Sequence, residues 1–153
     1  MNTGRIDRLA TAFRDPSQLL ARSASEWEVL IAQARSAKLL ATLAARIERR
    51  DLMDGVPRRP AEHLRNAQLV ARAQAATNAR EIEHLRHALA DAAREIVLLK
   101  GAAYLAARLP AADGRVFGDI DILVPRASLR DVEAALMLAG WATTHHNSYD
   151  QRY

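Results

Sequence analysis

Apolar positions recur at steps of three and four up to Ala92 and at steps of two soon after it, so the chain predicts helices first and a small sheet later. Residues 4–52 read as short helices. Ile6, Leu9 and Phe13 share a face, and Asp15-Pro16 is a break with Pro16 suited to a first helical turn. Ser25 and Glu28 have the spacing of a capping box, ahead of an apolar face of Trp27, Leu30, Ile31 and Ala34. Leu39, Leu40, Leu43 and Ile47 continue that pattern, and Arg46, Arg49 and Arg50 fall where cations suit the helix dipole. This region is expected to pack against the core or flank a substrate, with no chemistry of its own. Gly55 to Pro60 reads as a linker. A long helix is expected from Pro60, with Leu64, Ala67, Ala71, Ala75, Asn78, Ile82, Leu85, Leu89 and Ala92 on its inner side. Its Ala-rich upper half suits close helix–helix contact, within the subunit or between copies.

The period changes after Arg94-Glu95. Ile96 to Leu99 predicts a buried strand, Gly101 to Leu109 a helix, and Pro110 to Gly114 a turn. Gly118 to Val124 predicts a second strand stopped by Pro125. Ser128 opens a helix through Leu138 with Val132, Ala135, Leu136 and Ala139 inward, and Gly140 is placed as its left-handed stop. Trp141 to Thr144 would begin a third strand. The expected fold is α+β, an N-terminal helical layer on a small mixed sheet. Three regions follow: helices over 1–56, a long helix over 57–94 packing on the core, and the sheet-bearing core over 95–153.

Alanine and leucine carry the apolar half of the composition, since aromatic residues make up only 5%. That favours helix. A net charge of +4 helps attract an anionic substrate, but no dense basic block with interleaved aromatics marks a nucleic-acid footprint. The absence of cysteine excludes disulfides, thiolate metal sites and cysteine nucleophiles. No signal-like or membrane-spanning apolar run appears, so a soluble cytoplasmic protein with no membrane partner is expected.

Two aspartates interrupt the Ile/Leu/Val run at Gly118-Asp119-Ile120-Asp121-Ile122-Leu123-Val124. Aspartate is depleted in strands, and a local conflict of this kind tends to mark function. In a strand both carboxylates project to one face, roughly 7 Å apart, with Ile120 and Ile122 facing the core. Such a pair can hold Mg²⁺ (or Mn²⁺) together with waters and a nucleotide's phosphates. Gly101 lets phosphate approach the backbone at a helix start. Lys100 can touch phosphate oxygens or simply end a strand in solvent, and Arg115 can bind a triphosphate or pair with the aspartates. His84 and His87 sit one turn apart without an HExxH pattern and read as surface histidines, as do His145 and His146.

At Leu99-Lys100-Gly101-Ala102, Arg115, Gly118-Asp119-Ile120-Asp121, Leu123-Val124 and Gly140-Trp141 the chain resembles an uncharacterised bacterial nucleotidyltransferase family of the DNA polymerase β-type superfamily. The motifs occupy about fifty residues, and the helical region before them fits more loosely. The resemblance implies polymerase β-like topology and Mg²⁺-dependent transfer of a nucleoside monophosphate from ATP or another NTP to an unknown acceptor: protein, small molecule or nucleic acid. It implies Asp119 and Asp121 as catalytic metal ligands, and Lys100, Gly101, Ala102, Arg115 and Gly118 as the nucleotide and phosphate contacts. Two departures accompany it. The superfamily usually has Gly-Ser or Gly-Gly where this chain has Gly101-Ala102. It also carries a third acidic residue on a later strand, whereas only Asp150 follows Trp141 here. The chain thus looks like the first part of a longer domain. The alternative is a non-catalytic nucleotide-binding or protein-interaction module, and self-association through the helical region stays open.

Overall fold

The computed structural model describes residues 3–142, and side chains from Arg8 onward. Among the described residues six α-helices and two short strands follow in the order α1 (Thr3–Arg14), α2 (Ala24–Ser36), α3 (Leu40–Glu48), α4 (Arg58–Ala88), β1 (Val97–Leu98), α5 (Lys100–Ala106), β2 (Ile122–Leu123) and α6 (Leu129–Leu138). The expectations for the Ile6 side chain, the third strand beyond Ala142, His145, His146 and Asp150 lie outside the described residues.

The helical layer forms where the spacing placed it, with local differences. Pro16 opens a 3₁₀ turn rather than an α-helix, with Asp15 Oδ1 accepting from the Ser17 N–H at 3.2 Å. The capping box on α2 is built by Ser23 and Glu26, not by Ser25 and Glu28. The Ser23 N–H donates to Glu26 Oε2 at 2.9 Å, and the Glu26 N–H donates to Ser23 Oγ at 3.4 Å. Both pairs have the required spacing. The earlier one starts the helix half a turn sooner, so more backbone groups are satisfied by the same cap chemistry.

Two apolar clusters share one helix. Trp27, Leu30, Leu43, Ile47 and Leu64 centre the first, which joins α1, α2, α3 and the N-terminal end of α4. Leu85, Leu89, Ala93 and Val132 centre the second, packed with Ile96, Ile120, Ile122, Val124, Leu136 and Trp141. α4 spans both. At 31 residues it is roughly 46 Å long, and it begins at Arg58, two residues before Pro60, which its first turn tolerates. α4 packs on α3 within the chain, where Gln68 and Arg72 both bond Glu48.

The described sheet is an antiparallel pair with Val97 opposite Leu123 and Leu98 opposite Ile122. A further bond from the Leu99 N–H to the Asp121 carbonyl, 2.9 Å, extends the register by one residue. Both strands are much shorter than their apolar runs, and β1 is not buried on both faces. Val97 is 51% and Leu123 58% exposed, because α4 and α6 cover only the face carrying Ile96, Ile120, Ile122 and Val124. α6 ends at Gly140 (φ +98), with the Gly140 N–H on Met137 O and the Trp141 N–H on Leu136 O, the bonds of a Schellman stop. Ser128 precedes α6 inside a 3₁₀ turn and makes no side-chain cap.

Candidate active site

Alternation along 119–124 sets the site. Ile120, Ile122 and Val124 pack into the second cluster, while Asp119 and Leu123 between them are exposed and Asp121 is half-buried; β2 itself covers only Ile122–Leu123, so the aspartates lie just before it. Asp119 is exposed and has no partner among the described residues; Asp121 is partly covered. Lys100 reaches Asp121 from the other strand, with Nζ 3.2 Å from Oδ1 and 3.1 Å from Oδ2. The cross-strand bond at Leu99 holds this pairing, since it places Lys100 one residue past the end of the ladder.

The turn from β1 into α5 is abrupt. Lys100 takes it with φ +49, in the left-handed region that a side-chain-bearing residue enters at a cost of about 1–2 kcal/mol. Gly101 and Ala102 are both buried behind it. A Cβ on Gly101 would lie 2.8 Å from the Phe117 ring, so the space that glycine opens is filled by an aromatic side chain on that side. Ala102 is 1% exposed: its methyl serves packing. At position 102 this chain carries a core contact.

The segment leading to Asp119 is pinned at several points. Gly114 (φ +70) sits directly on the first turn of α3, and its carbonyl accepts from Thr42 Oγ1 at 3.2 Å. Asp113 pairs with Arg49 at 3.2 Å. The Phe117 carbonyl accepts from Asn78 Nδ2 at 2.9 Å, and Asn78, only 6% exposed, is itself steadied by Gln74. Gly118 has open space on its Cβ side. Arg115 lies over the Tyr104 ring at 5.6 Å and away from any ion pair with the aspartates. Tyr104 follows Lys100 by four residues, so Arg115 and Lys100 flank one face of α5 about a turn apart.

Phe117, Asn78 and Tyr104 thus belong to the site's framework although the motifs did not nominate them. Asn78 carried a signal, a polar residue within the otherwise apolar inner stripe of α4. A separate cleft of about 380 Å³ opens between α3, α4 and the residues after α5, with Arg49, Arg72 and Arg108 beside Glu48 and Asp113. His84 and His87 of α4 go elsewhere: His84 packs on Trp141 at 4.6 Å between ring centroids, and His87 pairs with Glu83. Trp141 in turn donates through Nε1 to Glu81 at 3.1 Å. Among the described residues no three His, Asp or Glu side chains gather as a metal cluster.

The model of one protein family, described as uncharacterised nucleotidyltransferase, matches residues 23–153. The chain belongs to the uncharacterised nucleotidyltransferase family. The family match reaches back through α2, α3 and α4 and begins after α1, so it takes in the helical layer from α2 onward. No curated protein and no solved structure gives a significant match. Membership in a nucleotidyltransferase family agrees with the α+β architecture. Among the described residues no helix of this family member is long and apolar enough to cross a membrane.

Proposed function

We propose that this family member transfers a nucleoside monophosphate from an NTP to an acceptor, with a divalent cation, Mg²⁺ or Mn²⁺, on Asp119 and Asp121. The observation that carries the reading is the Lys100–Asp121 contact on the open face of the sheet, 3.1 Å across. A positive charge already rests against the carboxylate that would hold the cation. The donors are carboxylate oxygens, which suit a hard ion that takes one or two protein carboxylates and completes its shell with water and phosphate. Once bound, that ion would supply charge neutralisation at the transferring phosphoryl group.

The chain's own residues account for the rest. Asp119 and Asp121 would be presented together to the cation, with Ile120 and Ile122 anchoring the segment from beneath. Lys100, largely exposed, can balance the charge of the leaving pyrophosphate. Arg115, seated on Tyr104, extends the same positive strip along α5. Gly118 leaves room beside the carboxylates for a ligand to approach the backbone. The buried Gly101 and Ala102 fix the turn from which Lys100 projects.

The test is thermal unfolding with ATP, GTP, CTP and UTP, with and without Mg²⁺, beside the Asp119→Asn/Asp121→Asn double variant. A nucleotide at about 100 times its Kd stabilises by roughly 2.7 kcal/mol, which moves Tm by roughly 5–10 °C in a domain of this size. The expected result is a Mg²⁺-dependent rise that the double variant lacks, with pyrophosphate released once an acceptor is supplied. A rise that persists in the double variant refutes the assignment of the aspartates. Binding without pyrophosphate release across protein, nucleotide and small-molecule acceptors favours the non-catalytic alternative.

A further inference from the structure

Among the described residues outside Gly, left-handed backbone occurs at Lys38, Asp51, Lys100 and Arg108. Three of these end helices: the N–H groups of Leu39, Leu52 and Leu109 bond to carbonyls five residues back, which accounts for the left-handed residue before each. Lys100 instead begins a helix, and helix termination does not explain its conformation. Strain kept at one position of a candidate site points to a role for the side chain it aims. Here the left-handed turn sends the Lys100 ammonium back across the strand end to both oxygens of Asp121. Leu99 and Asp121 are joined through the backbone at 2.9 Å, which fixes the strand end from which Lys100 reaches Asp121. The lysine side chain is 66% exposed and the aspartate 32%, so the contact can open toward solvent without unpacking the core.

We propose that Lys100 is an interlock: its ammonium neutralises Asp121 while the site lacks a metal, and it leaves for the polyphosphate when the cation takes its place. This rests on the metal-binding reading of Asp119 and Asp121 above. The two ligands are then coupled, because each removes the partner that competes for the other. Metal on Asp121 frees Lys100 for phosphate, and phosphate on Lys100 frees Asp121 for metal. Coupling of this kind is reciprocal by linkage.

The test separates the two halves on the intact chain. Mn²⁺ binding without nucleotide is measured by the EPR signal of the free ion for the native chain, Lys100→Met and Lys100→Arg, with Lys100→Gln in reserve should Met disturb folding. The expected result is Mn²⁺ affinity about two- to fivefold higher in Lys100→Met, the scale of a solvent-exposed ion pair, and a return to the native value in Lys100→Arg. In EDTA, equilibrium dialysis of ATP is expected to show tighter binding by Asp121→Asn, where the ammonium is already free, and loss of that gain in the Lys100→Met/Asp121→Asn double variant. Equal or weaker Mn²⁺ binding by Lys100→Met than by the native chain overturns the interlock and leaves the aspartate site standing. A gain in ATP binding that survives in the double variant also overturns it. No Mn²⁺ binding by any of these chains overturns both the interlock and the metal reading beneath it.

Discussion

Replacing Gly114 by alanine is expected to destabilise the chain by about 2–4 kcal/mol. Its φ is +70, and a Cβ there would fall 2.3 Å from the Ala41 carbonyl oxygen and 2.4 Å from both Ala41 C and Thr42 N. These are backbone atoms in and beside the first turn of α3, packed against the first cluster, so no side-chain rotation relieves the overlap. The left-handed backbone contributes about 1–2 kcal/mol for alanine, and overpacking against fixed atoms typically adds about 1–3. If the loop lifts away instead, the bond from Thr42 to the Gly114 carbonyl is lost, at about 1 kcal/mol. Against these stands the reduced freedom of the unfolded alanine chain, about 0.4–1 kcal/mol in its favour. Urea unfolding followed by the fluorescence of Trp27 and Trp141 reads the difference. Gly118→Ala is the internal control. Nothing lies within 4 Å of its Cβ position and its φ is not left-handed, so stability is expected to hold or rise by up to about 1 kcal/mol. A loss below about 1 kcal/mol in Gly114→Ala would refute the claim that this glycine welds the loop before Asp119 onto the helical layer.

Asn78→Leu leaves the Phe117 carbonyl without its donor and is expected to lower stability by about 1–3 kcal/mol, measured by the same unfolding assay. It is also expected to weaken Mn²⁺ binding, since Phe117 precedes the aspartate segment by two residues; native Mn²⁺ affinity in a folded Asn78→Leu chain would argue against this linkage. The Glu26 carboxyl is held below its ordinary value of 4.5, chiefly by the Ser23 N–H and then by the Ser23 hydroxyl. A depressed carboxylate stabilises the fold above its unfolded pKa, and that contribution is lost as pH falls through the lower folded value. Unfolding midpoints of the native chain are therefore expected to drop as pH falls below about 4.5, and Glu26→Gln to flatten that drop. An identical pH profile in Glu26→Gln would count against it.

The carboxylate face was legible because alternation is a local signal. Ile120 and Ile122 could be assigned inward from sequence, and their packing leaves Asp119 and Asp121 on the open side. The Lys-Gly turn and the Gly140 stop were readable for the same reason, each depending on a few adjacent residues. What surrounds Gly101 was not. The sequence suggested a gap for phosphate, but Phe117 fills that side from sixteen residues away, and nothing local announces the contact. The exposure of Val97 and Leu99 was hidden likewise. An apolar run reads as buried on both sides unless one knows that α4 and α6 lie on one face only. The arginine-lined cleft draws on separate segments, so no window of sequence contains it.

α4 belongs to both apolar clusters, with Leu64 in one and Leu85 in the other. A continuous helix cannot melt in the middle while both ends stay docked without breaking its own hydrogen-bond ladder, so the two clusters are expected to unfold together. Amide hydrogens between Gln68 and Leu85 should accordingly exchange only through opening of the whole molecule. A ligand seated at Asp121 would then slow exchange in α2 and α3, elements it never touches, by raising the free energy of that shared opening.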